Sequence, residues 1–194
     1  DNGLYDAMNK AIDNVSGDYL VFLNAGDKFH SPDTLEKIVA DVMSINSGAS
    51  DIEELPAVLY GETDIVDNSG EFMRHRRLKA PASLSWRSFL DGMLVCHQSF
   101  YVRTDVAQEF HYNLRYRFSA DFDWCVRLMK YAHQQGLALY NTHQILTDYL
   151  SEGMTTKNHR KSLLERFRIM CRHYGCVQTI RQHLWFVVRA MVRP

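Results

Sequence analysis

The segment Tyr19-Leu-Val-Phe-Leu-Asn-Ala-Gly-Asp27 constrains the fold of this chain more than any other, because an apolar run ends abruptly on a small, flexible, acidic turn. Leu20 to Leu23 have the composition of a β-strand covered on both faces. Gly26 lets the backbone bend so that Asp27 emerges at the carboxyl end of the strand, the edge at which open α/β sheets bind ligands.

The flanking patterns are helical. Leu4, Met8, Ala11, Ile12 and Val15 recur at helical spacing before the strand, and Gly17 closes that segment. After the acidic turn, Ser31 and Pro32 supply an N-cap and a first helical residue, and Leu35, Ile38, Val39, Val42 and Met43 form an apolar face. Residues 46–56 are small and acidic and read as a mobile loop. Residues 57–61 suggest a short strand, and residues 64–76 a hairpin turning at Asp67-Asn-Ser-Gly70 and ending in Arg74-His-Arg-Arg77. A short helix is expected around Trp86, Phe89 and Leu90, and a strand over Leu94 to Val102. Ser119 can cap a helix that carries Asp121 and Asp123 in its first turn and stops at Gly136, with a last strand over Leu137 to Tyr140. This order of elements predicts an α/β fold in one domain over residues 1–156.

From residue 157 the character changes. Nine Lys and Arg face one acid, Glu165, so residues 157–194 are read as a basic helical tail whose packing face is Leu163, Leu164, Phe167, Met170 and Cys171. The end of the tail mixes Trp185 and aliphatic residues with arginines, a pattern suited either to an anionic membrane surface or to packing on protein.

Composition narrows the function classes. The formal net charge is −1, from 22 Lys and Arg against 23 Asp and Glu, so no global field steers the chain toward nucleic acid. The four cysteines form no Cys-x-x-Cys pair, which argues against a disulfide framework or zinc ribbon and suits a cytoplasmic setting. No apolar run approaches the ~20 residues that span a bilayer. The chain opens on Asp1 and enters a helix almost at once, as though an amino-terminal portion preceded it.

Two acidic turns stand out: Asn24-Ala-Gly-Asp27 after a strand and Ser119-Ala-Asp-Phe-Asp123 at a helix start. A hard divalent cation bound to a diphosphate needs only one or two protein carboxylates, and Asp27 could be one. Asp121 could serve as a general base beside a substrate hydroxyl. The structural alternatives are that Asp27 closes a turn and that Asp121 and Asp123 complement a helix dipole. His97, in an apolar segment, is either a satisfied structural histidine or a site residue. Arg74, Arg76 and Arg77 could meet phosphates or decorate a solvated hairpin.

The run Asp1-Asn-Gly-Leu-Tyr-Asp-Ala-Met-Asn-Lys-Ala-Ile12, followed by Gly17-Asp-Tyr-Leu-Val-Phe-Leu-Asn-Ala-Gly-Asp27, resembles family 2 glycosyltransferases of the GT-A fold, in particular bacterial enzymes of exopolysaccharide and lipopolysaccharide biosynthesis. His97-Gln-Ser99, Ser119-Ala-Asp121 and Ser151-Glu-Gly-Met-Thr155 follow in the matching order. The resemblance implies a mixed sheet flanked by helices, incomplete at its amino terminus. It also implies inverting transfer of a sugar from a nucleotide-sugar donor to a saccharide acceptor, lipid-linked or free, inside the cell or at the inner face of the membrane. By the same resemblance Asp27 holds Mn2+ or Mg2+, Asp121 is the catalytic base, and Asn2, Tyr5, Asn9 and Asn24 lie on the donor side. His97, Gln98 and Asp123 would then contact acceptor or phosphate. Asn24 and Gly26 depart from the more acidic form of the metal motif, and Ala120 replaces an acidic neighbour of the base. These departures keep a second reading open, a carbohydrate- or partner-binding domain that retains the fold without the chemistry.

Overall fold

The computed structural model describes residues 2–45, 55–151 and 159–192. The acidic loop expected over residues 46–56 falls mostly outside the described residues, as does most of Ser151-Glu-Gly-Met-Thr155. Helices α1 (Leu4–Asn14) and α2 (Thr34–Ile45) flank two short strands, β1 (Tyr19–Leu20) and β2 (Lys28–Phe29). The central strand β3 (Val58–Val66) is followed by β4 (Phe72–His75), two 3-10 turns at Trp86–Asp91 and His97–Ser99, and β5 (Phe100–Arg103). A short α3 (Thr104–Gln108), α4 (Ala120–Gln135) and the long strand β6 (Leu139–Leu150) precede α5 (His159–Tyr174) and α6 (Cys176–Val192).

The strands form one mixed sheet in the order β1-β5-β3-β6-β2, with β4 pairing β3 as a hairpin. β3 runs parallel to β6, and the other pairs are antiparallel. β3 is buried at eight of its nine positions, as a strand covered on both faces must be. Its side chains alternate: Val58 and Tyr60 enter the large core with Met8, Ile12, Phe122, Trp124 and Ile169, whereas Leu59 meets Ile38 and Val42 of α2 on the other face.

Five expectations need correction. The apolar run at Leu20 to Leu23 pairs as a strand only at Tyr19–Leu20, although Phe22 and Val21 still turn to opposite cores. The segment Leu94 to Val102 is not one strand, because the Ser99 N–H donates to the Cys96 carbonyl and folds residues 97–99 into a 3-10 turn before β5. The last strand reaches Leu150, ten residues beyond Tyr140. α2 begins at Thr34, two residues after Pro32, and Leu35, Val39 and Met43 are exposed. Finally, Leu163 and Leu164 are exposed; α5 instead packs through Ser162, Glu165, Arg166, Ile169, Met170 and His173, which share one face at helical spacing. The tail's first helix is therefore part of the domain core.

Among the described residues, no helix is long and apolar enough to cross a membrane.

Candidate active site

The acidic turn is built as its sequence suggests. Gly26 adopts φ +95°, and a Cβ at this position would lie 2.5 Å from Leu150 Cδ2, so both the backbone and the packing call for glycine. The Asp27 N–H donates to the Asn24 carbonyl at 3.0 Å, which closes the turn. The half-buried Asp27 carboxylate then accepts from three neutral donors: Gln98 Nε2 (2.9 Å), the Leu150 N–H (2.9 Å) and the Asn24 N–H (3.3 Å). Asn24 contributes only its backbone to these bonds.

Two register shifts make this geometry available. β3 and β6 slip past one another between Tyr60 and Glu62 and again before Thr63, and His143 takes a positive φ of 54°. Gly61 faces this irregular segment, where a Cβ would sit 2.5 Å from the Gln144 carbonyl oxygen. β6 emerges from the bulges with Leu150 beside the acidic turn.

The 3-10 turn at residues 97–99 buries two neighbouring side chains at once, which an extended strand would send to opposite faces. Gln98 reaches Asp27, while His97 Nε2 lies 2.7 Å from the Tyr112 hydroxyl. His97 is enclosed by aromatic rings, stacked on Phe22 and edge-on to Tyr112 and Trp124. Burial pushes its imidazole below the ordinary value, and the Asp121 charge opposes that only in part, so His97 is a neutral structural histidine at pH 7.

Tyr112 stacks on Tyr5 at 5.3 Å, and the Tyr5 hydroxyl donates to Asp121 Oδ1 at 3.2 Å. Burial, reinforced by that carboxylate, pushes the Tyr5 phenol far above its ordinary value, so it acts here as a hydrogen-bond donor that stays protonated. Joined through the peptide bond between His97 and Gln98, a path of contacts thus runs from Asp27 through Gln98 and His97 to Tyr112, Tyr5 and Asp121. The half-buried Tyr149, near the end of β6, also responds to both: its phenol is raised first by burial and then by Cys96, Asp27 and Asp121.

The remaining candidate residues lie in other settings. Asn9 clamps the Tyr112 backbone, accepting from its N–H at 2.7 Å and donating to its carbonyl at 3.1 Å. Asn2 is exposed, and its N–H donates to Asp6. Asp123 lies about 200° around α4 from Asp121, given 3.6 residues per turn. It accepts from Arg127 Nε at 2.8 Å and His173 Nε2 at 2.7 Å. Burial alone would raise its carboxyl, but these two partners outweigh burial and hold it below the usual range. Arg76 donates to the carbonyls of Leu78, Met93 and Leu94, while Arg74 and Arg77 are exposed.

Sequence reasoning assigned no role to Tyr112 or Glu165. Glu165 Oε1 accepts the Arg117 N–H at 2.8 Å, and Oε2 accepts the Phe118 and Ser119 N–H groups at 2.7 Å each. Ser119 makes no side-chain cap to α4; its hydroxyl bonds Ser162 instead. Glu165 stood out in the sequence as the lone acid of a basic tail, but nothing local gave it a role.

The donor set limits any cation. A carboxylate offers about four lone-pair sites, and three at Asp27 are engaged. Among the described residues no group of three or more His, Cys, Asp or Glu side chains could hold a metal ion. This fits a Mg2+ or Mn2+ held chiefly by diphosphate and water with one protein oxygen, and does not fit a cation caged by protein alone.

A family model described as glycosyl transferase family 2 matches residues 1–109. Proteins of Mycobacterium bovis and Mycobacterium tuberculosis named PGL/p-HBAD biosynthesis glycosyltransferase are 27% identical over 198 residues, covering 99% of this chain and 69% of their own length. An uncharacterized glycosyltransferase of M. tuberculosis is 35% identical over 129 residues, 66% of this chain and 44% of its own. The crystal structure of S. aureus TarS residues 1–349 shares the fold, with a TM-score of 0.57 and 10% identity over 95% of this chain and 52% of that one. The chain thus spans about two thirds of the first of these relatives and about half of the TarS chain. With the family model covering more than half of its residues, the chain belongs to glycosyltransferase family 2.

Proposed function

We propose that this chain forms the core of a metal-dependent, inverting glycosyltransferase that moves a sugar from a nucleotide-sugar donor to a saccharide hydroxyl in cell-surface polysaccharide or glycolipid assembly. The observation that carries the reading is the contact path joining Asp27 to Asp121 through Gln98, His97, Tyr112 and Tyr5. It ties two carboxylates 94 positions apart in the sequence into one preorganised unit.

In this reading Asp121 is the general base. The Tyr5 hydroxyl on Oδ1 fixes the carboxylate rotamer and leaves Oδ2 to take the proton of the acceptor hydroxyl. The acceptor oxygen bonds to the anomeric carbon as the bond from that carbon to the diphosphate breaks, and the proton ends on Asp121. Asp27 would hold the divalent cation, which when bound neutralises charge on the diphosphate. Gln98 and the Leu150 N–H fix the direction in which Asp27 presents its remaining lone pair.

The acceptor can be lipid-linked. In support, α6 exposes Val177, Ile180, Leu184, Trp185, Val188 and Met191 alongside Arg181 and Arg189, a combination suited to peripheral contact with an anionic membrane.

Isothermal titration with Mn2+ plus uridine or guanosine diphosphate, paired with a transfer assay, tests the assignment. Asp27→Ala is expected to abolish manganese-dependent nucleotide binding. Asp121→Asn is expected to keep that binding and lose transfer. Full transfer by Asp121→Asn would sink the base assignment.

A further inference from the structure

We infer that Glu165, on the helix α5 that follows the sheet, is a positioning residue for the base: it sets the entry of α4 and thereby the place from which Asp121 acts. The inference rests on the reading of Asp121 as general base and adds a residue that lies beyond the stretch matched to the family model.

Residues 117–119 are the last before α4, and Asp121 is its second residue. Their three successive peptide N–H groups converge on the single Glu165 carboxylate at 2.7–2.8 Å. Charge-assisted bonds of this length are strong, and three of them fix a backbone segment that has no ladder of its own. Ser162, one turn earlier on α5, holds Ser119 from the side through its hydroxyl at 3.1 Å and its carbonyl at 3.3 Å. The first intrahelical bond, Asp123 N–H to the Ser119 carbonyl, is long at 3.3 Å. α4 therefore takes its starting position from α5 more than from its own first turn.

The same face of α5 continues the grip. Arg166 lies over the Phe122 ring at 5.3 Å, Ile169 and Met170 enter the core, and His173 binds Asp123. Asp121 is thus bracketed on both sides of the sequence by residues tied to α5. Tyr5 orients the carboxylate itself, and Glu165 places the backbone that carries it. The glutamate charge near the start of α4 also complements the helix dipole.

Hydrogen exchange and kinetics on the full chain test this with Glu165→Gln and, as a milder second variant, Ser162→Ala. In Glu165→Gln, exchange at amides 117–119 should speed up by at least about tenfold while β3 amides stay protected. Turnover should fall on the order of ten- to hundredfold, with KM for the nucleotide sugar within about threefold, because a displaced base misses the acceptor without altering donor binding. Ser162→Ala should move both readouts in the same direction by less. Unchanged exchange at 117–119 overturns the inference, and so does unchanged turnover per folded molecule despite a lower melting temperature, which would make Glu165 a stabilising residue only. Failure of the base reading appears separately, as Asp121→Asn retaining wild-type turnover.

Discussion

Replacing Gln98 with leucine isolates what holds the Asp27 carboxylate. The substitution keeps side-chain size in a site only 4% exposed and removes the 2.9 Å bond from Nε2 to Oδ2. Asp27 keeps the Leu150 and Asn24 N–H donors. A hydrogen bond to a charged acceptor contributes about 1.5–3 kcal/mol. Asp27 is half-buried, so water can partly replace the amide, and the lower figure of about 1.5 kcal/mol applies. For a chain of this length that corresponds to a melting temperature lower by about 3–6 °C. The released carboxylate must also be re-immobilised when a ligand binds, at about 0.5–1.5 kcal/mol, which weakens manganese-supported uridine diphosphate binding roughly two- to tenfold. Scanning calorimetry of the free protein reads the first quantity and titration calorimetry the second. A melting temperature within about 1 °C of wild type together with unchanged affinity would refute the claim that Gln98 orients Asp27.

Asp123→Asn tests the ion pair between α4 and α5. Because the folded carboxyl titrates below its unfolded counterpart, its contribution is present above about pH 4 and is lost as pH falls through the folded value. Removing the charge is expected to cost about 3 kcal/mol in denaturant melts at pH 7 and progressively less as the pH falls below about 4, and a gap that does not change with pH contradicts the assignment. Gly61→Ala forces a Cβ to 2.5 Å from the Gln144 carbonyl and to 2.8 Å from Leu146 Cγ, whereas the same change at Gly17 meets nothing closer than 3.7 Å. Thermal unfolding should show a loss of about 3 kcal/mol for the first and almost none for the second.

The sequence was readable where one local rule decides the outcome. The acidic turn needed a glycine at positive φ and has one, the hairpin closes at Gly70 with its N–H on the Asp67 carbonyl, and α4 stops at a left-handed Gly136. It was less readable where partners arrive from far along the chain. β6 runs to Leu150 because parallel pairing with β3 continues through two bulges, and no local pattern over Asn141–Leu150 announces those bulges. The face of α5 was only partly read: of the apolar set Leu163, Leu164, Phe167, Met170 and Cys171, Met170 enters the core and Phe167 meets His183 of α6, but Leu163 and Leu164 are exposed. The packed face carries Ser162, Glu165 and His173, polar residues that bury only because their partners wait at residues 117–119, Ser119 and Asp123. His97 and Gln98 stood out in the sequence as candidates, but their 3-10 geometry, which sends one to Tyr112 and the other to Asp27, depends on contacts 15 and 71 residues away in sequence.

The partners of each aspartate set the two carboxylates of the proposed mechanism apart from the ion-paired ones. Asp123, Asp105 and Asp148 lie against Arg127 and His173, Arg103, and Lys28 and His30, so their charge is spent within the fold. Among the described residues, the hydrogen bonds to Asp27 and Asp121 come from amide N–H groups, a glutamine and a tyrosine, all neutral, so each is oriented by partners that carry no charge. Neutral donors alone are no mark of function: Asp67 has them on an exposed hairpin turn, and Asp41 has Gln144. What distinguishes Asp27 and Asp121 is that their donors belong to one aromatic and amide frame running through Gln98, His97, Tyr112 and Tyr5. In the proposed mechanism a cation would be drawn to one such charge and a proton to the other. An arginine placed against either, as Asp123 already has, would hold the geometry and remove the chemistry.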